Sequence, residues 1–88
     1  LTQRKVKIIN KLGLHARPAA LLVKTAGKYK AEIKVSKDDM EVNAKSIMGV
    51  MMLAAEKGST LVITAEGDDE EEAVKAIIAL VERKFDED

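Results

Sequence analysis

Residues 31–43 read AEIKVSKDDMEVN. Ala31, Ile33 and Val35 alternate with Glu32, Lys34 and Ser36, the period-two pattern of a strand with one face in a core and the other in water. Asp38-Asp39 is a tight-turn pair, and Met40 and Val42 resume the alternation on a returning strand. The segment therefore predicts a β-hairpin, which fixes an antiparallel pairing at the centre of the chain.

Working outward, residues 3–10 (QRKVKIIN) set Val6 and Ile8 against Lys5 and Lys7, as a half-buried strand does. From Ala16 to about Gly27 the period becomes helical, with Ala19, Leu22, Val23 and Ala26 on one stripe and Gly27 as the C-terminal cap. After the hairpin, Ser46 is a natural N-cap for a short helix reaching about Glu56 and closed by Gly58. Residues 60–66 (TLVITAE) are rich in β-branched side chains and predict a strand. Asp68 or Asp69 caps a last helix, with Glu70, Glu71 and Glu72 at its positive end, Arg83 and Lys84 at its negative end, and Val74, Ile77, Ile78, Val81 and Phe85 as its buried stripe. The order β-α-β-β-α-β-α predicts an α+β fold: an open-faced sandwich with a four-stranded antiparallel sheet covered on one face by three helices. With 88 residues and no linker, one domain over 1–88 is expected.

Composition narrows the function. There is no cysteine and a single histidine, so neither a disulfide framework nor a Cys/His zinc site is available; no metal and no cofactor are expected. No apolar run reaches membrane-spanning length and no signal-peptide pattern opens the chain, so a cytoplasmic protein without membrane insertion is expected. The first residue is Leu1 rather than methionine, as in a processed or engineered start. Net charge is zero, but residues 1–45 hold 11 Lys/Arg against 4 Asp/Glu, and residues 46–88 hold the reverse, 4 against 11. The basic half suits acidic partners. Its cations are scattered singly and the only aromatics are Tyr29 and Phe85, which counts against nucleic acid.

The unique histidine and the unique proline fall together in residues 13–20, GLHARPAA. Proline fixes φ and donates no hydrogen bond, so Pro18 belongs in the first turn of its helix. His15 then stands at or beside the N-cap, and the amides of Ala16 and Arg17 are donors with no helical acceptor. An anion over His15 would meet those amides, the helix dipole and the Arg17 guanidinium together. The same groups disfavour imidazolium, which leaves the ring a nucleophile, and stabilise a phosphoryl group once attached. Taken alone, a histidine at a helix start is more often a cap or surface residue, and Arg17 a solvated charge. No triad, P-loop or paired-carboxylate arrangement makes the chain a self-contained catalyst.

GLHARPAA, followed by VNAKSIMGVMML and AEGDDEEEAVKAI, resembles the HPr family, the histidine-containing phosphocarriers of the bacterial phosphoenolpyruvate:sugar phosphotransferase system. The resemblance covers essentially the whole chain and implies the same open-faced sandwich. It implies that His15 accepts a phosphoryl group at Nδ1 from phosphorylated Enzyme I and passes it to the IIA components of sugar permeases. Arg17 would screen the phosphoryl charge and Pro18 would hold the turn. It further implies that Ser46 is a regulatory phosphorylation site, acted on by HPr kinase/phosphorylase and read by the catabolite control protein. Locally, Ser46 remains an N-cap. The short helix carries more apolar residues than one buried stripe needs, so Ile47, Met48 and Met51, with Ala16, Ala20 and Lys24 from the first helix, are expected to form an adaptable partner-binding patch. Lys28 and Lys45 would add to its cationic rim, and the alternative for Met51 or Met52 is gap-filling in the core. A monomer is expected, because a carrier needs its site exposed. Leu12 stands where the family commonly has a small polar residue, and Ala54 where it often has glycine, which predicts a stiffer short helix. Two other classes compete: a purely regulatory binding module acting through Ser46, and a small-ligand or RNA-binding α/β domain.

Overall fold

Residues 60–66 are the strand on which the sheet is organised. In the computed structural model, which describes residues 1–87, β1 (Thr2–Lys7), β2 (Glu32–Lys37), β3 (Met40–Asn43) and β4 (Thr60–Glu66) form one sheet in the order β1-β4-β2-β3. Every pairing is antiparallel. The helices are α1 (Ala16–Ala26), α2 (Ile47–Met52) and α3 (Glu70–Glu82), so the chain builds the predicted βαββαβα sandwich. The alternation read in the sequence is what aligns the core. Val6 pairs with Leu61, Val35 with Ile63 and Ile33 with Ala65, and all six side chains are buried beneath the helices. Shielding each of the larger ones contributes about 1.5–3 kcal/mol. α3 lies across β1 and β4 with Val74, Ile77 and Val81 inward, while α1 packs on α3 and α2 through Ala19, Leu22 and Ala26.

The start of α3 is tied down differently from a simple cap. Asp69 occupies the N-cap position but its carboxylate makes no bond to its own helix. Its two oxygens instead accept the backbone N–H groups of Lys30 and Ala31, both at 2.9 Å, which anchors the entry to β2. Those amides hold its carboxyl below the ordinary value, the Lys30 bond first. Glu70 takes over locally, accepting from the Gly67 amide at 3.1 Å and the Thr2 hydroxyl at 2.6 Å. The Leu1 ammonium at 2.7 Å, then Thr2 and Gly67, lower its carboxyl to about 2. A carboxylate whose folded value is depressed adds stability that is complete above the unfolded value and is lost as pH falls through the folded one. Urea midpoints should therefore be level above about pH 4.5 and fall steadily toward pH 2 as Asp69 and Glu70 protonate. A midpoint unchanged across that interval would show that these bonds carry no net stability.

Several boundaries differ from the sequence reading, each for a local reason. β1 ends at Lys7, yet Ile8 stays fully buried beyond it, where its amide donates to the Ser59 carbonyl at 2.9 Å. Gly27 does cap α1, but in right-handed conformation (φ −65°), so no left-handed turn is needed there. Met40 shares the core-side face with Val42 but remains exposed at the hairpin tip. The short helix stops at Met52, not near Glu56, and Gly58 turns the chain into β4 instead of closing α2. Ala54 lies outside the helix at φ 47°, so it does not stiffen α2. The left-handed region costs an L-residue about 1–2 kcal/mol that glycine escapes. Ala54→Gly should thus stabilise the protein by about 1 kcal/mol and raise its thermal midpoint by about 4–8 °C. A lowered midpoint would mean that the Ala54 methyl is held by contacts worth more than the strain.

Candidate functional site

The loop before α1 is shaped by one glycine. Gly13 has φ 69°, and a Cβ there would lie 2.5 Å from the Ala55 carbonyl oxygen, so only glycine lets the two backbones meet. Beside it the Leu14 amide donates to that same carbonyl at 2.8 Å, and the Leu14 side chain is buried. With Leu14 drawn inward, His15 takes the N-cap position in extended conformation (φ −78°, ψ −172°). The first helical bond runs from the Ala19 amide to the His15 carbonyl at 2.9 Å. The amides of Ala16 and Arg17 lie ahead of that ladder, and Pro18, third in the helix, loses nothing by having no N–H. Pro18 is buried, which fixes the turn, while Ala16 and Arg17 are exposed. His15 keeps 37% of its side chain open to solvent, half sheltered yet reachable.

Its ring is held by a residue that sequence reasoning did not single out. Glu87 Oε1 lies 3.0 Å from His15 Nε2. The same oxygen accepts from Asn10 Nδ2 at 2.9 Å, and Asn10 Nδ2 also donates to the Gly13 carbonyl at 2.8 Å. Asn10 is the one polar side chain fully buried among the described residues, and its Oδ1 has no partner. The Glu87 carboxyl is held below its ordinary value by the bond from His15, then by Asn10, with the Arg17 charge adding to both. A carboxylate thus faces Nε2 of the ring, in addition to the helix start and Arg17 named from the sequence. No signal in the sequence marks Glu87, which is 72 residues from His15 along the chain.

Ser46 caps α2 as expected: its Oγ accepts the Gly49 amide at 3.1 Å. The apolar surplus of α2 faces water. Met48 is 75% exposed and Met52 64%, and Ile47 and Met51 are also open, so neither Met51 nor Met52 fills a gap in the core. Leu12, in the loop before α1, is also exposed, at 68%. Ala16, Ala20 and Lys24 recur at four-residue spacing on the exposed side of α1, and α1 packs directly against α2. Lys45 is exposed, and its ammonium donates to the Tyr29 carbonyl at 2.7 Å. No group of His, Cys, Asp and Glu suited to a metal ion occurs among the described residues. None of the described helices is long and apolar enough to cross a membrane.

The structure thus presents a half-sheltered histidine at the proline-set start of α1, on an open-faced sandwich. The family model described as "PTS HPr component phosphorylation site" matches residues 2–83. The phosphocarrier protein HPr of Cupriavidus necator is 51% identical over 87 residues, covering 99% of this chain and 98% of its own. The HPr-like protein Crh of Halalkalibacterium halodurans is 48% identical, covering 96% of this chain and all of its own. The crystal structure of HPr-C-His from Thermoanaerobacter tengcongensis superposes with a TM-score of 0.96 at 53% identity, over 100% of this chain and 99% of the other. An HPr dimer from the same organism matches with a TM-score of 0.80 at 54% identity, over 99% of this chain and 100% of the other. The chain belongs to the HPr family, the phosphocarrier proteins of the bacterial phosphotransferase system, which relay a phosphoryl group through a phosphohistidine and are not themselves enzymes.

Proposed function

We propose that this protein carries the phosphoryl group on His15, taking it at Nδ1 from phosphorylated Enzyme I and giving it to the IIA components of sugar permeases. The observation that supports this most is the half-sheltered ring at the N-cap of α1, with the Ala16 and Arg17 amides ahead of the helical ladder. Those amides and the Arg17 guanidinium would stabilise a dianion bound at the ring, and Pro18 keeps the turn rigid. The exposed apolar surface of Ile47, Met48 and Met51, with Ala16, Ala20 and Lys24, serves as the common docking patch. Methionines suit a surface that must fit several partners in turn. The protein works in the cytoplasm as a monomer.

Incubation with phosphoenolpyruvate and Enzyme I tests this reading. The expected product is an acid-labile, base-stable phosphohistidine seen by phosphorus NMR. A folded protein that takes up no phosphate would overturn the carrier reading and favour the regulatory module.

Ser46 supplies the second layer. The similarity to Crh supports a regulatory role in which HPr kinase/phosphorylase modifies Ser46 and the catabolite control protein reads the product. Because Ser46 borders the docking patch on α2, a negative charge there opposes an acidic partner. Ser46→Asp keeps a good N-cap and should slow loading by Enzyme I about tenfold, equivalent to about 1.4 kcal/mol of barrier. Stopped-flow transfer rates check this; an unchanged rate would place Ser46 outside the docking surface.

A further inference from the structure

All of the sulfur in this protein lies at its surface. The chain has four methionines and no cysteine. Methionine is ordinarily a buried residue, whose flexible thioether fills gaps in a core. Here the core is built from aliphatic side chains and Phe85, and no methionine belongs to it. Met48 and Met52 are the most open of the four, and Met40 and Met51 are 43% and 41% exposed. Three of them fall within the six residues of α2, IMGVMM, of which only Val50 is buried. The helix thus turns a dense, apolar and oxidisable face to water, packed beside α1 with its exposed Ala16 and Ala20.

We propose that Met48, Met51 and Met52 form a reversible oxidation site, at which hydrogen peroxide weakens partner docking while the fold stays intact. This rests on the reading of α2 as the docking surface of a carrier. In the step, a thioether lone pair attacks one peroxide oxygen and the O–O bond breaks. Sulfur keeps that oxygen and is oxidised by two electrons; the other oxygen, reduced by the same pair, leaves as water. A methionine sulfoxide reductase reverses the change: two of its thiols close to a disulfide, and the sulfoxide oxygen departs as water. A sulfoxide is polar, so burying it against a partner that offers no donor is unfavourable in a way that burying a thioether is not. The core holds no methionine, so nothing that stabilises the fold is modified. With no thiol in the chain, no cysteine competes for the oxidant. Met40 is an internal control, as exposed as Met51 but at the hairpin tip, outside α2.

The test treats the full chain with hydrogen peroxide, removes the peroxide, and measures phosphate uptake from phosphoenolpyruvate and Enzyme I. Peptide mass spectrometry locates each sulfoxide, and circular dichroism follows the melt. Sulfoxides are expected at all four methionines, with the thermal midpoint within a few degrees of untreated protein. The efficiency of uptake should fall about tenfold, through KM rather than kcat, as when apolar docking contacts are lost. Methionine sulfoxide reductases acting on both epimers should restore it. Two variants locate the effect, each compared with its own untreated form. Met40→Leu should stay as sensitive to peroxide as wild type. Met48→Leu, Met51→Leu and Met52→Leu combined should lose the sensitivity, whatever the basal rate. Undiminished uptake by fully oxidised protein, or a combined variant that peroxide still inhibits, would overturn the proposal. So would inhibition that tracks a lowered melt, which would make the oxidation structural damage. The repair arm needs no variant: uptake that stays low once the sulfoxides are reduced would equally overturn it. An untreated protein that takes up no phosphate would instead overturn the carrier reading, and this proposal with it.

Discussion

His15→Ala should take up no phosphate from phosphoenolpyruvate and Enzyme I, while melting within a few degrees of wild type. The loss is complete because the chain has one imidazole and no cysteine to act in its place. The fold survives because His15 lends its helix only backbone: its side chain makes no capping bond, and its carbonyl still receives the Ala19 amide in the variant. What the variant gives up structurally is the bond to Glu87, a partly solvated contact whose loss leaves the core untouched. Parallel phosphorus NMR and circular-dichroism melts decide the matter. Residual phosphohistidine signal in the variant would move the site away from residue 15, and a collapsed melt would make the ring a structural element.

Phe85→Ala should lower stability by about 3–5 kcal/mol, the usual range for emptying a buried aromatic site. That is a large share of a small domain's total and corresponds to a fall of at least about 12 °C in thermal midpoint. Phe85 is one of only two aromatic residues and is almost fully buried, so no neighbour of similar size can fill its place. It also anchors the left-handed turn of residues 84–86, so its loss should release Glu87 from His15 along with the core packing. Thermal melts together with exchange of the His15 ring proton would show both effects. A drop below about 1 kcal/mol would mean the site collapses around the alanine.

The parts of this fold written in short-range pattern were legible. Residues 31–43 declared their hairpin because inward and outward side chains alternate without a break, and 60–66 declared β4 through β-branched residues. The His15 turn was legible because Pro18 tolerates so few positions. Ala54 was not: an alanine carries no sign that its backbone is left-handed, so the end of α2 was placed too late. Phe85 matched the helical stripe of α3 by spacing, yet it reaches the core from a turn of opposite hand. Asn10 and Glu87 were invisible for a further reason. Their meeting with His15 depends on a path that winds through the whole chain, and no local propensity encodes it.

The place of β4 in the sheet also governs how the molecule comes into being. β1 is synthesised first but finds its only neighbour in residues 60–66, and β2 meets the same strand from its other side. Until those residues leave the ribosome, the nascent chain holds one isolated hairpin, which water alone barely sustains. Val6, Ile33 and Val35 wait without their partners, and the first two helices have no floor to lie on. Acquisition of the native state is thus deferred until residues 60–66 are available and then occurs by joining segments far apart in the chain. Such pairing is slower than the assembly of a helical bundle of equal size. A chain cut short before residue 60 gains no partial fold and presents its unpaired strands to proteases and to one another.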